Sequence, residues 1–101
     1  MAVVGIQWFI AWGYGNGYHT VDVNVGPANL GAAVALYGHT GGGTSYAGIK
    51  SYRKSSGQIV SFGDWPSWPA VIFDNVNQIT FGVATGSDQT GWSVLRVDYW
   101  A

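Results

Sequence analysis

The chain has 101 residues, of which 48% are apolar and 9% are charged, and its formal net charge is −1. This length suits a single domain over residues 1–101 with one hydrophobic core, and the composition excludes a disordered polar segment. The weak charge excludes the basic field used to bind nucleic acid, and the absence of cysteine excludes disulfides and thiolate chemistry.

The first predicted strand runs from Ile6 to Trp12, inside the apolar stretch MAVVGIQWFIAW. This stretch has no positive leader, is too short to span a bilayer and contains Gln7. We therefore expect a strand and not a signal peptide. The compartment is left open by the sequence, and it is extracellular if a leader has been removed.

Alternation of apolar and polar residues predicts the strands that follow. The pattern is most regular in VDVNV at 21–25 and in NQITFGVAT at 77–85, where Ile79, Phe81 and Val83 share one face. Less regular patterns predict strands at 32–37, 46–52, 58–62, 70–74 and 92–100. Turn signals rich in glycine separate the strands at 13–17, around Pro27, and at 39–45, 54–57 and 85–91.

About eight short strands between glycine-rich turns, with no stretch of helical periodicity, predict an all-β domain. We expect an antiparallel β-sandwich of two sheets with a jelly-roll-like topology. A small closed β-barrel is the alternative.

The stretch GYGNGYHT places Tyr14 and Tyr18 among glycines. Tyrosine flanked by glycine and asparagine is typical of surfaces that adapt to polar ligands, although it is also common in plain turns. We take both tyrosines as candidate ligand-binding residues. The neighbouring His19, like His39, is interpreted as a polar residue at a strand end.

The segment GDWPSWPAVIFDN at 63–75 carries two tryptophans between prolines. Pro66 and Pro69 restrict themselves and the residues before them, so the loop is stiff before any ligand arrives. Trp65 and Trp68, with Asp64 beside them, are therefore predicted to bind a ligand if they are exposed and to plug the end of the sandwich if they are buried.

The last predicted strand, WSVLRVDYW, carries the other candidate site. If Leu95 and its alternate neighbours face the core, the opposite face presents Trp92, Arg96, Asp98 and Trp100. Indoles beside a guanidinium and a carboxylate suit a sugar ring and its hydroxyls. The alternative is that Arg96 and Asp98 form an ion pair while the tryptophans cover the edge of the core or pack on the first strand.

The sequence offers little for catalysis or for metal binding. Its two histidines lie in no spacing typical of a catalytic triad or a zinc site, so we expect no enzyme, no cofactor and no metal. Oxygen donors at Asp74 and Asp88 leave calcium as an open question.

These features lead to two hypotheses about function. The first is a non-catalytic, lectin-like module that binds carbohydrate or another small polar ligand through exposed Trp and Tyr. The second is a self-assembling structural or interaction protein, such as a coat, particle or oligomer subunit, whose aromatic residues form the interface. Nucleic acid is not expected as a partner, and membrane contact is disfavoured by the missing basic patch.

Overall fold

The computed structural model describes residues 3–25, 34–42, 44–62, 71–72 and 75–100. These residues form two antiparallel sheets of four strands each, and the described part contains no helix. The predicted all-β class is thereby confirmed. This class follows from the period-two alternation of apolar and polar residues along the chain, with glycine-rich turns between many of the strands.

The strands are β1 (Val3–Tyr14), β2 (Gly17–Asn24), β3 (Val34–Gly42), β4 (Thr44–Lys54), β5 (Ile59–Ser61), β6 (Val71–Ile72), β7 (Val76–Thr85) and β8 (Thr90–Trp100). Each of them overlaps a segment in which the sequence predicted a strand. Alternation therefore located these strands along the chain, although several extend beyond their predicted ends.

The segment HTGGGTS at 39–45 was predicted to be a turn, and for its described residues this is wrong. β3 continues to Gly42 and β4 begins at Thr44. Gly41 and Gly42 pair with Trp92 and Gly91 of β8. This pairing with the neighbouring strand keeps the backbone of both glycines extended.

Sheet 1 has the order β1-β8-β3-β6, and sheet 2 has the order β2-β7-β4-β5. The first four strands pair with the last four in reverse order, as β1 with β8, β2 with β7, β3 with β6, and β4 with β5. The two halves of the chain thus pair like one long hairpin. Its tip is the β4–β5 turn, where the backbone N–H of Lys54 donates to the carbonyl of Gln58 at 2.8 Å.

One hydrophobic cluster takes side chains from both sheets. Leu95 and Val97 of β8 are buried in it together with Ile79 and Phe81 of β7 and Ile49 of β4. The predicted core-facing side of β7 is thereby confirmed. The side of each sheet that is turned away from this cluster is called its outer face.

Gln7 has a structural role on the core-facing side of β1. Its side-chain oxygen accepts a hydrogen bond from the hydroxyl of Tyr99, which is buried at the end of β8. A buried phenol normally needs such a partner. The hydrogen bond with Tyr99 therefore explains why this otherwise apolar strand contains one amide side chain.

Ser93 carries a buried hydroxyl that has no hydrogen-bond partner. Since an unsatisfied buried polar group opposes folding, we expect Ser93→Ala to leave the free energy of unfolding unchanged or to raise it by up to ~1 kcal/mol.

Thr85→Val is the contrasting variant, because the buried Thr85 hydroxyl donates to the carbonyl of Gly15. Urea unfolding should show a loss of about 1–2 kcal/mol for Thr85→Val. An equal loss in Ser93→Ala would contradict the assignment of an unsatisfied hydroxyl.

Candidate functional site

Among the described residues, the outer face of β1 carries most of the exposed large apolar side chains. Successive residues of a strand point to opposite sides, so Phe9 and Ala11 face the core while their neighbours face outward. The outward residues from Ile6 to Tyr14 are 48–67% exposed. They are Ile6, Trp8, Ile10, Trp12 and Tyr14, and together they are called the β1 stripe.

The β1 stripe continues onto β8, which lies beside it in sheet 1. Trp92 is directly opposite Trp12, and Val94 is directly opposite Ile10. Residues opposite one another in an antiparallel pair point to the same side, so these side chains share the outer face. Trp92 and Val94 are half-buried because β8 lies between β1 and β3.

Arg96 and Asp98 of β8 bind each other. Arg96 Nε donates to Asp98 Oδ1 at 2.8 Å, and the guanidinium carbon lies 5.7 Å from the centroid of the Trp8 ring. The Asp98 side chain is 11% exposed and that of Arg96 is 33% exposed. The ion pair anticipated as the alternative for this strand is confirmed, and these two groups are engaged with the protein.

Loss of Arg96 would leave the Asp98 carboxylate buried without its partner. We expect Arg96→Met to lower the free energy of unfolding by about 2 kcal/mol at neutral pH, since breaking a largely buried pair costs more than the pair contributes. The double variant Arg96→Met/Asp98→Asn should recover most of this loss. Chemical denaturation of both variants measures the difference, and an undiminished loss in the double variant would contradict a role for the unpaired charge.

The outer face of sheet 2 has the opposite character. Thr80 donates to Asp22 at 2.6 Å, and Gln78 donates to Asn24 at 3.5 Å, both across the β2–β7 pair. Cross-strand polar pairs of this kind are typical of a sheet face in water. Among the described side chains, the outer surface of the β2–β7 pair therefore carries cross-strand polar pairs, whereas the outer surface of β1 is apolar.

Tyr14 and Tyr18, both predicted to bind ligand, are exposed but do not come together. Tyr14 ends the β1 stripe, and its hydroxyl donates to Asp88 Oδ1 at 3.1 Å. Tyr18 lies on the outer face of sheet 2. The turn at Gly15 and Asn16 carries the chain from one sheet to the other, so it separates the two phenols.

The side chain of His19 stabilises this turn through two polar contacts. Its Nε2 lies 2.8 Å from the hydroxyl of Thr85 and 3.0 Å from the carbonyl oxygen of Gly15. Because the Thr85 hydroxyl donates to the same carbonyl, the network is satisfied when His19 Nε2 carries the proton. The ring fills the space in front of Gly13, where a Cβ atom would overlap it. These contacts agree with the interpretation of His19 as a polar residue at a strand end.

Several predicted positions lie outside the described residues. These are Asp64, Trp65 and Trp68, together with Asp74, which was considered for calcium. Trp100 ends β8 opposite Val3, and its side chain is outside the described part of the structure.

Membrane-spanning helices and clusters of metal-binding side chains are both absent from the described residues. No helix there is both long enough and apolar enough to cross a bilayer. Nor do three or more His, Asp or other acidic side chains in those ranges gather where they could hold a metal ion.

The chain has no significant match among protein-family models, curated proteins or solved structures.

Proposed function

We propose that this protein is a subunit of a protein assembly and that it associates with further copies of itself through the outer face of sheet 1. The β1 stripe is the observation that carries the proposal. A contiguous apolar patch of this kind on a folded domain usually marks an interaction site.

The size of the stripe supports this reading. Three aromatic side chains of ~150–250 Å² each, about 60% exposed, leave roughly 350 Å² in contact with water. The two isoleucines add about 100 Å². Two copies meeting through this surface would bury about 900 Å², and Trp92 and Val94 extend it toward the ~1,200 Å² at which specific, stable interfaces begin.

The chemistry of the stripe also favours a protein partner. Ile6 and Ile10 alternate with the aromatic residues, and an aliphatic side chain has no polar group for a sugar hydroxyl. Arg96 and Asp98, which were predicted to bind such hydroxyls, bind each other. A second copy of the chain can cover this apolar surface, because a contact between two apolar surfaces requires no polar partners.

We infer in addition that the two sheets pack face to face as a jelly-roll sandwich. Two observations support this, namely the pairing of the first four strands with the last four in reverse order and the hydrophobic cluster shared by both sheets. Jelly rolls occur in viral capsid proteins and in lectins, so the topology is compatible with assembly and with carbohydrate binding.

Quenching of tryptophan fluorescence by acrylamide tests the proposal. Comparison of the wild type with Trp8→Phe and Trp12→Phe isolates the signals of these two indoles. We expect both to be accessible in dilute protein and protected in concentrated protein, because association covers them. If both stay accessible at every concentration, the stripe is a free surface and assembly through it is excluded.

Carbohydrate binding is the second candidate, and it is favoured by the exposure of Trp8 and Trp12 on one face. An exposed indole can hold the apolar face of a sugar ring. A glycan array followed by calorimetry would test it, with Trp12→Ala as the site variant and Tyr18→Ala as the control on the other sheet. The absence of binding to every glycan on the array would exclude this candidate.

A further inference from the structure

We infer that two copies join edge to edge, with β1 paired antiparallel to β1 of the second copy about a two-fold axis at Ile10. This inference rests on the proposed function and adds a contact at the edge of sheet 1 to the contact through its outer face. Pairing of β1 with β1 places the two β1 stripes side by side on one outer face, which remains open to further copies. Sheet 1 would then continue from one copy into the next as a single sheet of eight strands.

The first reason is that β1 is an edge strand of sheet 1 and, from Gly5 to Tyr14, shows none of the usual protection among the described residues. Sheet edges are normally guarded by short length, charged residues, proline or irregularities. Among the described strands the other three edges follow this rule, because β5 has three residues, β6 has two and β2 presents Asp22. β1 is 12 residues long, and its sequence VVGIQWFIAWGY contains neither a charge nor a proline.

The second reason is the burial of Phe9. This side chain packs against the core cluster and yet is only half-buried, since β1 has a neighbour on one side. With the axis at Ile10, Phe9 of one copy faces Ala11 of the other. Pairing would therefore complete the burial of a core residue as well as covering the flank of the stripe.

The position of the axis follows from the register of β1. The pairing of β1 with β8 is irregular between Val3 and Gly5, so regular strand geometry runs from Gly5 to Tyr14. The β1 stripe occupies this regular part, and Ile10 is its middle residue. A two-fold interface brings the same patch of both copies together. An axis at Ile10 sets Ile10 against Ile10, Trp8 against Trp12 and Ile6 against Tyr14, whereas a shift of the axis leaves stripe residues unpaired at both ends.

The absence of cysteine permits a direct test by cross-linking. Residues directly opposite in an antiparallel pair have Cβ atoms about 4.5–5.5 Å apart, close to the separation that a disulfide requires. Ile10→Cys oxidised with diamide should therefore give a covalent dimer that dithiothreitol reverses. Trp8→Cys and Trp12→Cys should not cross-link separately but should form a mixed dimer when combined.

Ile59→Cys is the matched control, because Ile59 is 67% exposed and Ile10 is 63% exposed, on different sheets. It should remain uncross-linked. If Ile10→Cys fails to cross-link while light scattering shows a dimer, edge pairing at Ile10 is overturned and the proposed assembly stands. If light scattering shows a monomer at every concentration, both are overturned. Cross-linking of Trp12→Cys alone would place the axis at residue 12 and overturn the register.

Discussion

Lysine in place of Ile10 is expected to dissociate the assembly while leaving the chain folded. The side chain is largely exposed in the single chain, so its replacement should change the free energy of unfolding by no more than ~0.5 kcal/mol. At the interface each copy loses a buried isoleucine, and two ammonium groups come to face each other at the axis. A loss of about 3 kcal/mol in association corresponds to an affinity roughly 100-fold lower.

Sedimentation equilibrium of Ile10→Lys against Ile59→Lys measures this effect. The two positions share residue type and exposure but lie on opposite sheets, so solubility and net charge change equally. Ile59→Lys should associate like the wild type. Equal weakening by both substitutions would show that association is driven by general apolar character and not by β1.

Alanine in place of Gly82 is expected to destabilise the fold more than any other change considered for this chain. A Cβ atom at position 82 would overlap the carbonyl oxygen of His19 and would lie 2.9 Å from the Cα atom of Thr20. These are backbone atoms of β2, which is paired with β7 along its whole length, so they cannot rotate away as a side chain could. We expect the free energy of unfolding to fall by about 3 kcal/mol or more, out of a total of about 5–15 kcal/mol for a domain of this kind.

Gly5→Ala is the control for this prediction. A Cβ atom at Gly5 would meet Tyr99 Cδ2 at 3.5 Å, which is an ordinary contact. Its stability should be unchanged or slightly higher, because alanine reduces the freedom of the unfolded chain. Urea midpoints for the two variants give the comparison. An unchanged midpoint in Gly82→Ala would contradict the close approach of β2 to β7.

The strands could be predicted from the sequence because each pattern is local. Ile79, Phe81 and Val83 alternate with polar or small residues, and a half-buried strand requires this alternation. The extension of β3 through Gly41 and Gly42 could not be predicted in the same way. Those glycines are extended because β8 pairs with them, and that pairing depends on residues about 50 positions away in the sequence.

Apart from Tyr14, the residues of the β1 stripe were missed among the predicted site residues for a physical reason. Its core-facing neighbours Phe9 and Ala11 are apolar too, so β1 lacks the polar side that marks a strand exposed to water. An apolar run of this kind is typical of a strand buried on both faces. The signal that separates the two cases is the regular placing of the bulkiest residues, Trp8 and Trp12, on one side.

For the last strand, the sequence predicted the positions of Arg96 and Asp98 but did not decide whether they bind each other or a ligand. The spacing of two residues placed both side chains on one face, and the ion pair was one of two readings offered for it. The choice between them depended on the burial of Asp98, which is set by the neighbouring strands β1 and β3. Sequence alternation does not contain that information.

Sedimentation velocity of the wild-type chain over a wide range of concentration tests assembly through β1 most directly. We expect a concentration-dependent rise from the mass of one chain to twice that mass or more, and we expect this rise to be lost in Ile10→Lys. A single species with the mass of one chain at every concentration would contradict the proposed assembly.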